Sequence, residues 1–204
     1  MIATALPADA WDASALYRLF SGSIAPRPIA WVASIDAAGT ANLAPFSFFN
    51  VASVSPPVLV FSPLLNGQAE AKDTLRNLAA VPECVIHIGG EALAEALNAT
   101  SASLAPDQDE FEHAGLAKAE MPPLRVPRVA AAAVAFGCRV SNILRFGEGP
   151  MAGNLVIAEV VAIHADPAVW NGRHVDLEAL KPIGRLAGSD YLRASDRFAL
   201  ERPA

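Results

Sequence analysis

The reading of this chain turns on residues 26–63, "PRPIAWVASIDAAGTANLAPFSFFNVASVSPPVLVFSP". Most of it is strand-like: "PIAWVASI" is an apolar run, "DAAGT" supplies turn residues, and "VLVFSP" is a second short strand entered through Pro56 and Pro57. The middle, "NLAPFSFFN", breaks that pattern. It sets Asn42, Ser47 and Asn50 among Phe46, Phe48 and Phe49. A buried polar group without a partner costs about 1–3 kcal/mol. These groups therefore either cap turns or face a ligand with polar edges and an apolar face.

Outward from this stretch, the chain continues with elements at short intervals. Residues 9–20 form an amphipathic helical lead-in, and "KDTLRNLAAVPE" is a short helix with Asp73 as its expected N-cap, ended before Pro82. "CVIHI" is a strand and "GEALAEALNATS" a second helix. Residues 101–130 are rich in Pro and Ala with few strand signals, and read as an excursion carrying the turn "DEFEHAGL". Val134, Phe136, Cys138 and Val140 then alternate with Ala135, Gly137, Arg139 and Ser141, a period of two. "NLVIAEVVAIHA" (154–165) is a second long strand, with nine of its twelve residues apolar, reached through the Gly-rich loop "RFGEGPMAG". Long strands with few helices predict a mainly β protein, a closed or split barrel, rather than alternating βαβ units.

Composition narrows the function classes. The 204 residues are 53% hydrophobic and 18% charged, which excludes a disordered tail and allows one domain over 1–204 with a sizeable core. A net charge of −6 argues against a nucleic-acid surface. No apolar run reaches the roughly 18 residues of a membrane span, so no membrane partner is expected. The N-terminal segment "MIATALPADAWDAS" lacks a basic start and a long apolar core, so no signal peptide is expected. The two cysteines, Cys84 and Cys138, sit in apolar runs and read as free thiols, which makes a cytoplasmic location the default expectation. His87, His113, His164 and His174 are scattered without ligand spacing, and no metal site is expected. "CVIHIGGEALAEAL" runs strand, Gly-Gly, helix, but has no GxGxxG spacing and no second βαβ unit. Gly89–Gly90 is thus a plain turn. With no GxSxG elbow and no Walker A motif, nucleophilic hydrolysis and phosphoryl transfer are not supported.

The motifs "SGSIAPRPIAWVASIDAAGTANLAPFSFFNVASVSPPVLVFSP", "KDTLRNL", "EALNATSA", "DEFEHAGL", "FGEGPMAGNLVIAEVVAIHAD" and "IGRLAGSDYLRASDRFAL" occur in that order. Together they resemble the flavin reductase-like, FMN-binding split-barrel family, near its flavoredoxin-like branch, over residues 20 to about 200. The resemblance implies a six-stranded split β-barrel, a homodimer, and FMN held near the dimer interface. It also implies a lead-in over about 1–19 and a C-terminal arm over about 182–204.

An isoalloxazine ring needs main-chain N–H and C=O groups along one edge and apolar contact on a face. By resemblance, Ala44, Pro45, Phe46, Ser47 and Phe48 line the ring, while Asn42 holds the loop. Taken singly, the phenylalanines read equally well as barrel core. Ser62, Lys72, Asp73 and Thr74 are implied for the phosphate and ribityl tail, where a helix start and a cation favour an anion. Arg27, between Pro26 and Pro28, is implied near the same tail, or is a turn arginine; Pro28 belongs to the same implied set. Asn98 and Thr100 either bond the ribityl chain or cap the helix ending there. His164 is a candidate neighbour of a nicotinamide or a structural histidine. Arg185 and Tyr191 have a packing or a binding role. One departure stands out: relatives often carry Thr after "AGL", and this chain has Ala117.

The resemblance implies an FMN-binding oxidoreductase, with NADH or NADPH as reductant and a monooxygenase or other electron acceptor as a possible partner. No catalytic side chain is singled out, because hydride acceptance belongs to the cofactor. The alternatives are a flavoredoxin-like electron carrier reduced by a partner protein, and a non-enzymatic module binding another cofactor.

Overall fold

The computed structural model describes residues 7–105 and 108–203; the first six residues of the lead-in, residues 106–107 of the excursion and the last residue of the C-terminal arm lie outside them. A 3-10 turn at Ala8–Ala10 precedes helix α1 (Ala13–Ser23), whose cap is Asp12. Strands β1 (Ala30–Ile35), β2 (Ala41–Phe46), β3 (Phe49–Val54) and β4 (Pro57–Phe61) follow, then α2 (Asp73–Ala80) and β5 (Glu83–Ile88). After α3 (Ala94–Ala99) and α4 (Glu110–His113) come β6 (Lys118–Met121), β7 (Leu124–Val129), β8 (Val134–Arg145) and β9 (Asn154–Ala165). The chain ends with α5 (Leu177–Leu180), β10 (Ile183–Arg185) and β11 (Tyr191–Arg193).

The main sheet is antiparallel throughout, in the order β2-β1-β5-β8-β9-β4-β3. It has seven strands rather than the six expected. The extra strand comes from "NLAPFSFFN", which makes two strands on opposite edges of the sheet: it ends β2 and starts β3.

Both faces of the sheet are covered, which explains why all six residues of β1 are buried. Trp31, Ala33 and Ile35 point to one side and pack with Leu43, Val85, Leu97, Phe111 and Val126. Ala30 and Val32 point to the other, with Phe46, Phe61, Cys84, Ile86, Cys138 and Val156. Cys84 and Cys138 are opposed across β5 and β8, buried and free. The neighbouring Cys138 thiol, aided by burial, pushes the Cys84 thiol up, so it stays protonated.

Residues 101–130 differ from expectation by containing helix α4 and the hairpin β6–β7. The strand signal is masked by prolines, but Leu124, Val126 and Val129 are buried while Arg125 between them is exposed. Gly137 of β8 lets this hairpin approach: a Cβ there would lie 2.9 Å from Leu124 Cδ1. The helix expected over "GEALAEALNATS" is a 3-10 turn at Glu91–Leu93 followed by α3.

His87 of β5 is enclosed between Trp31 and Val129. Its Nδ1 lies 2.8 Å from the Trp31 carbonyl, and the Val129 N–H donates to Nε2 at 2.9 Å. An Nε2 that accepts forces the proton onto Nδ1, so the ring is neutral. Burial drives its pKa from 6.5 to about 4. Because the folded value lies below the unfolded one, this stability is complete above the unfolded pKa of 6.5 and is lost as pH falls towards 4. Between pH 7 and pH 4 the unfolding free energy should therefore drop by about 3 kcal/mol more in the native chain than in His87→Gln. Urea titrations at both pH values measure this; parallel profiles for the two proteins would contradict it.

Candidate functional site

The site forms where the chain crosses from one edge of the sheet to the other. Ala44, Pro45 and Phe46 still pair with Val32, Trp31 and Ala30 of β1. Pro45 is tolerated because β2 is an edge strand and lacks a neighbour on its far side. Phe49 already pairs with Phe61 of β4. Only Ser47 and Phe48 lie between. The Phe48 carbonyl accepts from the Ser62 N–H at 2.8 Å, while the Ser47 N–H has no acceptor among the described residues.

Arg27 secures this crossing. Its Nε–H donates to Ser47 Oγ at 3.3 Å, and its terminal nitrogens donate to the carbonyls of Ile24 (2.9 Å), Leu186 (2.9 Å) and Ser21. Its main chain pairs with Arg185 at 3.0 and 2.8 Å. The residue is buried, and burial lowers the guanidinium pKa. All four of these acceptors are uncharged oxygens. The group thus ties the end of α1, the crossing and the C-terminal arm together, with most of its donors used.

Two adjoining cavities open on the crossing. One, of 140 Å³, is bounded by Tyr17, Pro45, Phe46, Ser47, Phe48, Ser62, Leu64 and Lys72. The second, of 300 Å³, shares Pro45, Phe46 and Lys72 and is walled by polar groups including Asn42, Asp73, Thr74, Thr100, Ser101 and Glu110. Three aromatic rings, Tyr17, Phe46 and Phe48, stand at one end together with Ser47, Ser62 and Lys72, and hydroxyls and charge wall the other.

Helix α2 starts at their junction. Lys72, not Asp73, occupies the cap position, and no side chain caps the helix. Asp73 is the first helical residue and pairs with Arg76 one turn on. The reason is the extended backbone at Lys72 (φ −68°, ψ 160°), which places the first helical residue one position later. The helix start is left without a side-chain cap beside Lys72, whose Nζ stands 6.0 Å from the Phe46 ring centre. Lys72 forms no ion pair among the described residues. The helix is held to the sheet by Asn42 Nδ2 donating to Thr74 Oγ1 (3.0 Å) and Asn77 Nδ2 donating to Ser34 Oγ (3.2 Å).

The structure brings together Ala44, Pro45, Phe46, Ser47, Phe48, Ser62, Lys72, Asp73, Thr74 and Thr100 of the expected set. Thr100 is nonetheless committed to packing, accepting from Trp31 Nε1 (2.8 Å) and donating to the Leu97 carbonyl (2.8 Å). Pro28 and Asn98 line neither cavity; Asn98 accepts from the Tyr191 hydroxyl at 3.0 Å. Arg27 reaches the crossing only through Ser47. His164 lies on β9 opposite Ala135, away from both cavities, with its pKa lowered by burial. Arg185 stacks 4.6 Å above the Tyr191 ring and bonds the Asp190 and Gly188 carbonyls, a packing role within the arm.

Two residues in the site carried no signal in the sequence. Tyr17 sat in a lead-in helix with no assigned role. Glu110 is buried on α4, where Oε2 accepts from the Leu43 N–H at 3.0 Å and so closes part of the β2 edge. Burial pushes its pKa up. Nothing local distinguishes Glu110 from the exposed Glu112 two residues later.

A slot lined by aromatic rings and hydroxyls, continuing to a cation beside an uncapped helix start, suits a planar heterocycle with an anionic tail. The chain's relatives agree with that chemistry. The sequence profile of the flavin reductase like domain matches residues 22–176. The YwrF protein of Bacillus subtilis is 37% identical over 201 residues, covering 97% of this chain and 98% of that one. The crystal structure of nitrilotriacetate monooxygenase component B from Bacillus cereus superposes with a TM-score of 0.91 at 33% identity, covering 98% of this chain and 100% of that one. The 2-nitrobenzoate 2-nitroreductase NbaA of Pseudomonas fluorescens superposes at 0.87 with 29% identity, covering 98% and 96%. The matched domain and these folds have one conclusion: the chain belongs to the flavin reductase-like domain family, whose members' chemistry implies a flavin cofactor.

Proposed function

We propose that this protein is an FMN-binding, NAD(P)H-dependent flavin reductase that acts as a homodimer and supplies electrons to a monooxygenase or another acceptor. The observation that carries this reading is the pair of adjoining cavities that share Pro45, Phe46 and Lys72, the smaller of them lined by Ser47 and Phe48. The likeness to the monooxygenase component supports the choice of acceptor class. The exposed edge strand β3, with Val51 and Val54 open to solvent, is a surface suited to a second copy.

In this reading Ala44, Pro45, Phe46, Ser47 and Phe48 hold the ring: the Ser47 N–H meets a heteroatom on its edge and the phenylalanines give apolar contact. Ser62, Lys72, Asp73, Thr74 and Thr100 surround the tail, with Lys72 and the first-turn amides of α2 facing the phosphate. Arg27 sets the crossing's position through Ser47, while Pro28 and Asn98 stand outside the two cavities. The flavin, when bound, supplies the hydride acceptor. The protein's part is to orient the ring and keep water from one face, and no side-chain acid or base is required of it.

Purified protein mixed with FMN and separated from free flavin should be yellow, with bands near roughly 370 and 450 nm that bleach when NADH or NADPH is added without oxygen. A colourless protein would overturn the flavin assignment. Bands that persist with both nucleotides would overturn the reductase reading in favour of a carrier.

The tail site gives a second expectation. Lys72→Ala should weaken FMN by about 1.5–3 kcal/mol, because a charge-assisted contact is lost. Riboflavin, which has no phosphate, should bind both proteins alike. Equal losses for the two ligands in calorimetric titrations would remove Lys72 from the phosphate site.

A further inference from the structure

Helix α1 is attached to the protein in an unusual way. A surface helix ordinarily buries one apolar stripe. Among the residues of α1, Ser21 alone is buried. Leu19 and Phe20 are 46% and 47% exposed, and Ile24, at the helix end, is 62% exposed. Hydrophobic burial therefore does little to hold the helix. Its attachments are the Ser21 and Ile24 carbonyls, which accept from Arg27, and the ring of Tyr17, whose centre is 6.3 Å from that of Phe48 at 36°.

Tyr17 and Ser21 are four residues apart, so they share the face of the helix turned to the crossing. Tyr17 lines the smaller cavity opposite Pro45, Phe46 and Ser47, yet 43% of it is exposed. Its hydroxyl has no hydrogen-bond partner among the described residues, so the ring is placed there by the helix and not by a bond of its own. A half-exposed aromatic ring held at the rim of a slot for a planar ligand, on a helix fixed by a buried arginine, is arranged to cover that ligand.

Building on the flavin-site reading above, we propose that Tyr17 stacks on the bound flavin ring and forms the outer wall of its site. The ring would lie between Tyr17 and the Pro45–Phe46 side of the slot, with the solvent-facing side closed by the phenol. Aromatic stacking on a heterocyclic base contributes enough to change affinity by tens of fold when the aromatic group is removed. A phenol is also a good one-electron donor to a photoexcited flavin, whereas a benzene ring is not, so contact with Tyr17 carries an optical signature.

The test compares native protein, Tyr17→Phe and Tyr17→Ala by FMN titration, bound-state fluorescence and melting temperature without flavin. Tyr17→Phe should bind FMN within about twofold of native, while the fluorescence lifetime of its bound FMN lengthens several-fold. Tyr17→Ala should bind about tenfold or more weakly. The flavin-free melting temperatures of native protein and Tyr17→Phe should agree, because the ring that attaches the helix at Phe48 is kept. An unchanged lifetime in Tyr17→Phe, or an affinity in Tyr17→Ala within twofold of native, overturns the proposal while leaving the flavin site intact. A native protein that takes up no FMN overturns the underlying flavin reading as well, and is seen before any variant is made.

Discussion

Everything about the candidate site follows from one topological constraint: β2 and β3 are neighbours in sequence and lie at opposite edges of the sheet. With only Ser47 and Phe48 between them, the two edges must come together there, so the curl of the whole sheet ends in a short crossing. The crossing cannot be paired as a ladder on both sides. Its main-chain groups must find other partners, and the Phe48 carbonyl does so in Ser62. The Ser47 N–H remains without an acceptor among the described residues, beside the smaller cavity. A binding site results from the way the sheet closes.

Such a crossing would be loose without support, and the support is polar. Arg27 is buried without a carboxylate partner and spends its donors on Ser47 and on three carbonyls from α1 and the C-terminal arm. Burying a guanidinium is costly, and removing one partner of such a group typically costs more than the pair contributes. The geometry of a planar fork explains why arginine and not lysine stands there, since an ammonium cannot reach four oxygens spread around it. On the other side, Asn42 and Asn77 fix α2, so its uncapped start holds its place beside Lys72.

Much of this was legible in the sequence. The alternation in 134–141 and the apolar run of 154–165 lie in the two long strands, and the polar residues inside "NLAPFSFFN" marked the crossing. The seventh strand was not legible, because periodicity cannot tell a strand that continues a hairpin from one that moves to the far edge. Hairpin β6–β7 was hidden by its prolines, which lack the N–H donor expected of a strand residue. The cap of α2 was misplaced by one residue because Asp is the better capping type and the backbone angle at Lys72 decides otherwise. Arg27 was read as lying near the cofactor tail or as a turn arginine, and its bond to the distant Leu186 carbonyl is one that no local pattern reveals. Tyr17 and Glu110 were missed for the same reason: their roles come from long-range placement.

The central claim, that the free amide of the crossing meets the flavin edge, is tested most directly by following the Ser47 N–H in nitrogen-15-labelled protein as FMN is added. Without flavin this amide should exchange rapidly with solvent, having no acceptor. With FMN at saturation it should become protected and its resonance should move more than those of the amides on the exposed strand β3. A protein that saturates with FMN while the Ser47 amide stays unprotected and unshifted would contradict the account.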